Sequence, residues 1–194
     1  MYTYYIIYKP YLAVSQFSPI EGKTTLADYF KVPKDVYPVG RLDHDSEGLL
    51  LLTSDSSLNH RLLNPLNKHN RTYWVQVEGE LTTDALDKLQ KGVQLSIDGK
   101  PHKTLPCKAV IIQEPVLPER NPPIRFRKNK PTSWLSITLT EGKNRQVRRM
   151  TAAVGFPTLR LVRYSIESIN IESLSGNSVQ ELTKEEVYLK LFGK

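Results

Sequence analysis

The chain has 194 residues, 39% hydrophobic and 24% charged, with a net charge of +7, enough apolar content to bury a full core as one domain or two tightly joined halves. No apolar run approaches the ~20 residues a membrane helix needs, and residues 4–8 are cut off by Lys9-Pro10 before they could form a signal peptide; a soluble, cytoplasmic protein is expected. Cys107 is the single cysteine, which excludes an internal disulfide or a cysteine-rich zinc site and fits a small buried hydrophobe.

Thr3-Tyr4-Tyr5-Ile6-Ile7-Tyr8 has the β-branched and aromatic content of a strand that Lys9-Pro10 stops. Residues 25–31 read as a short helix. Gly40-Arg41-Leu42-Asp43-His44-Asp45-Ser46-Glu47-Gly48 then enters Leu49-Leu50-Leu51-Leu52, a short continuous apolar run bounded by Gly48 and Thr53-Ser54-Asp55, which fits a buried strand better than a helix. Asp43 thus lies in a loop entering a sheet, where a rigid strand fixes position and the loop leaves the group reachable. An Asx turn or a cap is the plainer role for such an aspartate. Residues 55–64 read as a helix with Leu58, Leu62 and Leu63 facing inward before Pro65.

Residues 71–79 form the clearest strand, with Tyr73, Val75 and Val77 on one face and Tyr73 towards the core. A helix over 82–91 follows, with Thr82 or Thr83 as N-cap, Leu86 and Leu89 inward and Gly92 past its end. Asp98-Gly99 marks a hairpin and 107–112 a strand. Residues 114–132 show neither period and read as a surface excursion ordered by proline, carrying Arg120, Arg125, Arg127, Lys128 and Lys130; long excursions in compact domains are usually functional. Residues 133–140 resume alternation, with Leu135, Ile137 and Leu139 buried. Glu141-Gly142-Lys143-Asn144-Arg145-Gln146-Val147-Arg148-Arg149-Met150 then turns into a helix capped by Asn144, with Val147, Met150 and Val154 on one side and Arg145, Arg148 and Arg149 on a shared exposed arc. A strand over 158–167 carries Arg160 and Arg163, and the capping box Thr183-x-x-Glu186 opens a last helix to residue 191. Neither a repeat nor a linker divides the chain, so one domain over 1–194 is expected.

Between Arg120 and Arg163 eleven Lys and Arg stand against one acid, Glu141, so this segment carries +10 and the remainder −3. That is the electrostatic footprint of a polyanion binder. The chain has no Walker loop, no dinucleotide fingerprint and no nucleophile elbow. Asp43-His44-Asp45 does not make a metal site, because neighbours on an extended segment point to opposite faces. Carboxylate, phenol and guanidinium groups remain. A ribosome-binding protein without catalysis would also explain the basic segment, but Asp43 discriminates, since a carboxylate facing a polyanion repels phosphate.

Three separated stretches, in order, resemble the motifs of the pseudouridine synthases that modify ribosomal RNA: Gly40-Arg41-Leu42-Asp43 with Gly48-Leu49-Leu50-Leu51-Leu52-Thr53, then Arg71-Thr72-Tyr73, then Gly142 to Met150 ending in Gln-Val-Arg-Arg-Met. Ser46 stands where many relatives have Thr, and Arg71 where many have Lys. The resemblance implies an α+β fold, a mixed and largely antiparallel central sheet with flanking helices and a central active-site cleft. It implies isomerisation of uridine to pseudouridine in ribosomal RNA without cofactor or metal, by a monomer most like the large-subunit members that lack an S4 domain. By the same resemblance Asp43 is the catalytic aspartate, acting as a nucleophile at the sugar or as a base. Tyr73 stacks on the turned-out base or moves a proton at C5, and Arg148 is the charge partner of Asp43. The target uridine must leave its stack at a cost of a few kcal/mol. Phosphate contacts from Arg41, Arg120, Arg125, Arg127, Lys128, Lys130, Lys143, Arg145, Arg149, Arg160 and Arg163 are expected to offset that cost.

Overall fold

Every residue of the strand Glu47–Thr53 is buried, as its run of four leucines requires. The computed structural model describes residues 2–125 and 130–193. In chain order its elements are β1 (Tyr4–Lys9), β2 (Tyr37–Pro38), β3 (Glu47–Thr53), α1 (Ser56–Leu63), β4 (Arg71–Glu78), α2 (Thr83–Lys91), β5 (Gln94–Ile97), β6 (Lys100–Lys103), β7 (Lys108–Ile112), β8 (Thr132–Leu139), α3 (Gln146–Ala153), β9 (Thr158–Ile166), β10 (Ile169–Asn170), β11 (Val179–Leu182) and α4 (Lys184–Phe192). They form two compact units, residues 1–69 with 162–194, and residues 70–161. The pairing is mixed and mostly antiparallel, with helices against the strands, an α+β fold.

In the first unit β3 is the central strand. It pairs antiparallel with β1 (Tyr4↔Thr53 to Lys9↔Gly48) and parallel with β9 (Glu47↔Val162, Gly48↔Arg163), while β11 lies on the far side of β1. Alternate leucines enter separate cores: Leu49 and Leu51 pack with Tyr4, Leu58, Leu62 and Val187, Leu50 and Leu52 with Ile7, Leu26, Phe30 and Val36. A strand covered on both faces reads as a continuous apolar run for this reason. Each leucine, at 1% exposure or less, contributes about 1.5–3 kcal/mol of burial.

Asp55 is the N-cap of α1, accepting at Oδ1 from the N–H groups of Ser57 (3.0 Å) and Leu58 (3.2 Å). Its Oδ2 accepts from the hydroxyls of Tyr4 (2.8 Å) and Tyr188 (2.9 Å). Leu58 and Leu62 are buried, but Leu63 is 44% exposed, against expectation; it follows Leu62 by 100° and so leaves the i,i+4 face. The helix expected over 25–31 is a single 3-10 turn, Leu26–Asp28. The Asp28 carboxylate draws in the Thr25 N–H at 2.6 Å, and Pro33 lies close behind. The capping box before α4 is present, Thr183 Oγ accepting from the Glu186 N–H at 3.1 Å and Glu186 from the Thr183 N–H at 2.7 Å.

In the second unit β4, β8 and β7 form an antiparallel ladder in that order. Val75, Val77, Leu135 and Ile137 are fully buried beneath Leu89 of α2 and Met150 of α3. Thr82 caps α2, accepting from the Ala85 N–H at 3.2 Å. Gly92 follows at φ 89°, where a Cβ would lie 2.3 Å from the Thr104 carbonyl. Asp98 and Gly99, both at positive φ, turn β5 into β6 as the sequence pair demands. Cys107 is half-buried; it donates to the Leu89 carbonyl, and burial pushes its thiol up to about 11.

Candidate active site

In the first unit Asp43 begins a turn immediately before β3, closed by the Ser46 N–H donating to the Asp43 carbonyl at 3.0 Å. The loop is pinned from two sides. Ser15 Oγ donates to the Leu42 carbonyl (2.8 Å) and accepts from the Leu42 N–H (3.0 Å), and the Leu12 N–H donates to the His44 carbonyl (2.9 Å). Asp43 itself is half-buried, Arg41 exposed. Behind the turn, Gly48 (φ 105°) meets the β9 backbone so closely that a Cβ would lie 2.5 Å from the Arg163 carbonyl oxygen.

Beneath this loop lies a set of buried charges: Lys9 (0% exposed), Glu47 (3%) and Arg163 (4%). Lys9 Nζ donates to the carbonyls of Ala13 (2.7 Å) and Pro10 (2.9 Å), Arg163 Nε to the Leu49 carbonyl (2.8 Å), and the Tyr8 hydroxyl to Glu47 (3.3 Å). Burial pushes the Lys9 ammonium down to about 8, with Arg163 acting in the same direction; Glu47, Asp45 and Asp43 favour its charged form. The Asp43 loop therefore rests on fixed charge, held in place by backbone carbonyls. Lys9, Ser15 and Glu47 were not singled out in the sequence; Lys9-Pro10 reads there as a strand stop.

Arg163 corrects an expectation. Placed by sequence among the phosphate-binding residues, it is buried, because it sits on β9 beside Gly48 and its guanidinium turns into the unit towards Leu49.

In the second unit Tyr73 is half-buried on β4 opposite Ile137, against the core that holds Val75 and Val77, as its strand period requires. α3 starts one residue later than expected. Its N-cap is Arg145 at φ 51°, with no side-chain cap, in place of Asn144. The helix arginines do not share one exposed arc: Arg145 is exposed, whereas Arg148 and Arg149 are half-buried, and the Arg149 guanidinium donates to the Ser96 carbonyl.

The excursion after β7 is fastened by two of the expected RNA contacts, Arg120 within it and Arg160 on β9. Arg120 donates to the carbonyls of Pro122 (2.9 Å) and Leu159 (3.3 Å), and Arg160 to that of Pro118 (2.7 Å). Lys130 is ion-paired with Glu78 at 2.8 Å. Arg125 and Lys143 are exposed; Arg127 and Lys128 lie outside the described residues. By sequence the second unit carries sixteen Lys and Arg against eight acids, the first unit eleven against twelve. The basic character therefore belongs to the second unit. Among the described residues no cluster of three or more His, Cys, Asp or Glu could hold a metal, and no helix is long and apolar enough to cross a membrane.

Comparison with known proteins places the chain in a wider set. A family model described as RNA pseudouridylate synthase matches residues 3–153. A ribosomal large subunit pseudouridine synthase E of Vibrio parahaemolyticus is 54% identical over 91% of this chain and 72% of its own length. The protein of the same name from Xanthomonas axonopodis pv. citri is 51% identical over 88% of each chain. A crystal structure of a pseudouridylate synthase superposes with a TM-score of 0.79 at 27% identity, over 98% of this chain and 74% of that one.

Proposed function

Because the chain belongs to the RNA pseudouridylate synthase family, we propose that it isomerises a specific uridine of large-subunit ribosomal RNA, as a monomeric cytoplasmic enzyme with Asp43 as its catalytic carboxylate. The relatives named for large-subunit RNA, 54% and 51% identical, support the substrate. The family match spans residues of both units, and we read the two together as one catalytic domain.

The observation that carries the role of Asp43 is its setting. It heads a fully buried strand, in a turn clamped by Ser15 and Leu12 and underlain by the Lys9 ammonium. A carboxylate held this way loses little entropy on reaching the sugar. As nucleophile it would attack C1′ while the N1–C1′ bond breaks, and the carboxylate–C1′ bond would break in turn as C5 of the turned uracil bonds to C1′; as base it would take the C2′ proton to give a glycal as the N1–C1′ bond breaks, and return that proton to C2′ as C5 bonds to C1′. In either route the C5 proton is lost to a base and N1 gains one, so the product is an isomer with no net oxidation. Arg148 is the charge partner of the carboxylate, and Tyr73 stacks on the base or accepts its C5 proton. Exposed Arg41, Arg125, Lys143 and Arg145 hold phosphates.

The test is tritium release from C5-labelled uridine in large-subunit RNA, with wild type and Asp43→Asn in parallel. Release near one equivalent per RNA, lost in the variant while RNA binding persists, is the expected result. Tight binding without release from naked RNA, subunits or assembly intermediates would leave a binding protein instead.

A further inference from the structure

We propose that Glu141 and His102 are positioning residues that set the start of α3 and so the placement of Arg148; this rests on the catalytic reading of Arg148 above. The turn into α3 is poorly suited to form by itself. Its N-cap, Arg145, supplies no side-chain cap and adopts φ 51° and ψ 33°, a backbone conformation that a non-glycine residue keeps only when its surroundings impose it.

What imposes it is a hydrogen-bond network centred on one carboxylate. Glu141 Oε1 accepts from the backbone N–H of Leu105 (2.8 Å) and from Nε2 of Gln146 (2.5 Å), while its Oε2 lies 3.1 Å from His102 Nε2 on β6. Gln146, 4% exposed and the first residue of α3, accepts at Oε1 from the Lys143 N–H (2.9 Å). Both ends of the turn, 141 and 146, thus meet at Glu141. The β5–β6 hairpin grips again one helical turn on, where Arg149 donates to the Ser96 carbonyl. Arg148 lies between these two fastenings.

Charge makes Glu141 harder to explain otherwise. It is the sole acid between Arg120 and Arg163, and its side chain is only 11% exposed. A carboxylate in a polyanion-binding segment weakens binding, and this one is turned away from solvent into the hairpin. His102 meets Glu141 at the head of the turn, and Ser96 of the same hairpin meets Arg149 of the helix that carries Arg148.

Single-turnover tritium release at saturating RNA, RNA dissociation constants and melting temperatures should be measured for Glu141→Ala, Glu141→Gln, His102→Ala and Arg148→Ala. Glu141→Ala is expected to slow the single-turnover rate about tenfold or more with RNA affinity within about threefold, the size of loss that a small misplacement of a reacting group produces. Glu141→Gln keeps an oxygen for Leu105 and Gln146 and should recover most of the rate, with His102→Ala between the two. A merely stabilising network would lower the melting temperature and leave the rate of folded, RNA-bound enzyme unchanged; that result overturns the proposal. Should Glu141→Ala fail to fold, His102→Ala decides in its place, and a wild-type rate there is equally fatal. Wild-type turnover by Arg148→Ala would instead remove the reading of Arg148 on which this one stands, whereas an inactive Arg148→Ala beside an unimpaired Glu141→Ala would remove the positioning role alone.

Discussion

Asp55 offers a stability test whose size can be worked from the contacts. It is 2% exposed and makes four hydrogen bonds, two to the first turn of α1 and two to the hydroxyls of Tyr4 and Tyr188. Asp55→Ala removes the cap, worth about 1 kcal/mol. It also strands the buried Tyr4 hydroxyl, at about 1–3 kcal/mol, and the half-buried Tyr188 hydroxyl at about 1 kcal/mol. A total of roughly 3–5 kcal/mol is expected. Asp55→Asn keeps an oxygen for the cap and can donate its amide hydrogens to the two phenolic oxygens, so it should lose only about 1–2 kcal/mol, mostly charge assistance. The two variants also differ from wild type in acid. Burial alone would raise the Asp55 carboxyl, but the hydrogen bonds from Tyr4, Leu58, Tyr188 and Ser57 outweigh it and hold the group below its ordinary value. With the folded value depressed, the contribution is complete above about pH 4 and is lost as pH falls through the folded value. Urea denaturation at pH 7, repeated between about pH 3 and 5, should show the gap between wild type and Asp55→Asn narrowing on acidification. A loss below about 1 kcal/mol for Asp55→Ala, or a gap that widens in acid, would refute the reasoning.

Other expectations follow from the same contacts. Lys9 releases its proton near 8 when folded but at about 10.4 when unfolded, so the unfolded chain binds more protons in between; the raised Cys107 thiol works the other way over the same range, so the comparison is with Lys9→Met, over which wild type should gain about 2 kcal/mol in urea unfolding from pH 8 to 10. Gly48→Ala would place a Cβ 2.5 Å from the Arg163 carbonyl oxygen at φ 105° and should prevent soluble expression or lower the midpoint by about 3 kcal/mol or more; a wild-type melting curve would contradict the parallel β3–β9 contact. Glu78→Gln releases Lys130 from its ion pair and should steepen the slope of log affinity for RNA against log salt by about 0.7–1, whereas an unchanged slope would take Lys130 out of the RNA contact.

What could be read from the sequence was whatever depends on neighbours along the chain. Leu49-Leu50-Leu51-Leu52 announced a buried strand, Asp98-Gly99 a hairpin, and Thr183-x-x-Glu186 a capping box, and each is present. Periodicity placed Tyr73 against the core with Val75 and Val77. It failed where the partner is distant. Arg163 looked like one more surface cation because its burial depends on a strand that begins at residue 47. The Asn144 cap failed because Glu141, tied to His102 on β6 and to Leu105 just beyond it, shifts the start of α3 to Arg145. Lys9 was read only as a strand ending, since nothing in its local sequence shows that Ala13 and Pro10 turn their carbonyls back upon it. The motif stretches named the reacting candidates; the residues that hold them came from long-range packing.

The first unit is discontinuous in sequence, and this orders events during synthesis. The strand behind the Asp43 loop can pair with β1 early, but its start at Gly48 lacks its second neighbour until Arg163 exists, because Gly48 is pressed against that residue's backbone. At translation rates of about 5–20 residues per second, Arg163 follows Gly48 by roughly 6–23 s, and all of residues 70–161 are made in the interval. A chain cut short before that point carries Asp43 with β1 and β3 but without the β9 backbone packed on Gly48. The loop proposed to carry the reacting carboxylate thus receives its last structural support only late in synthesis.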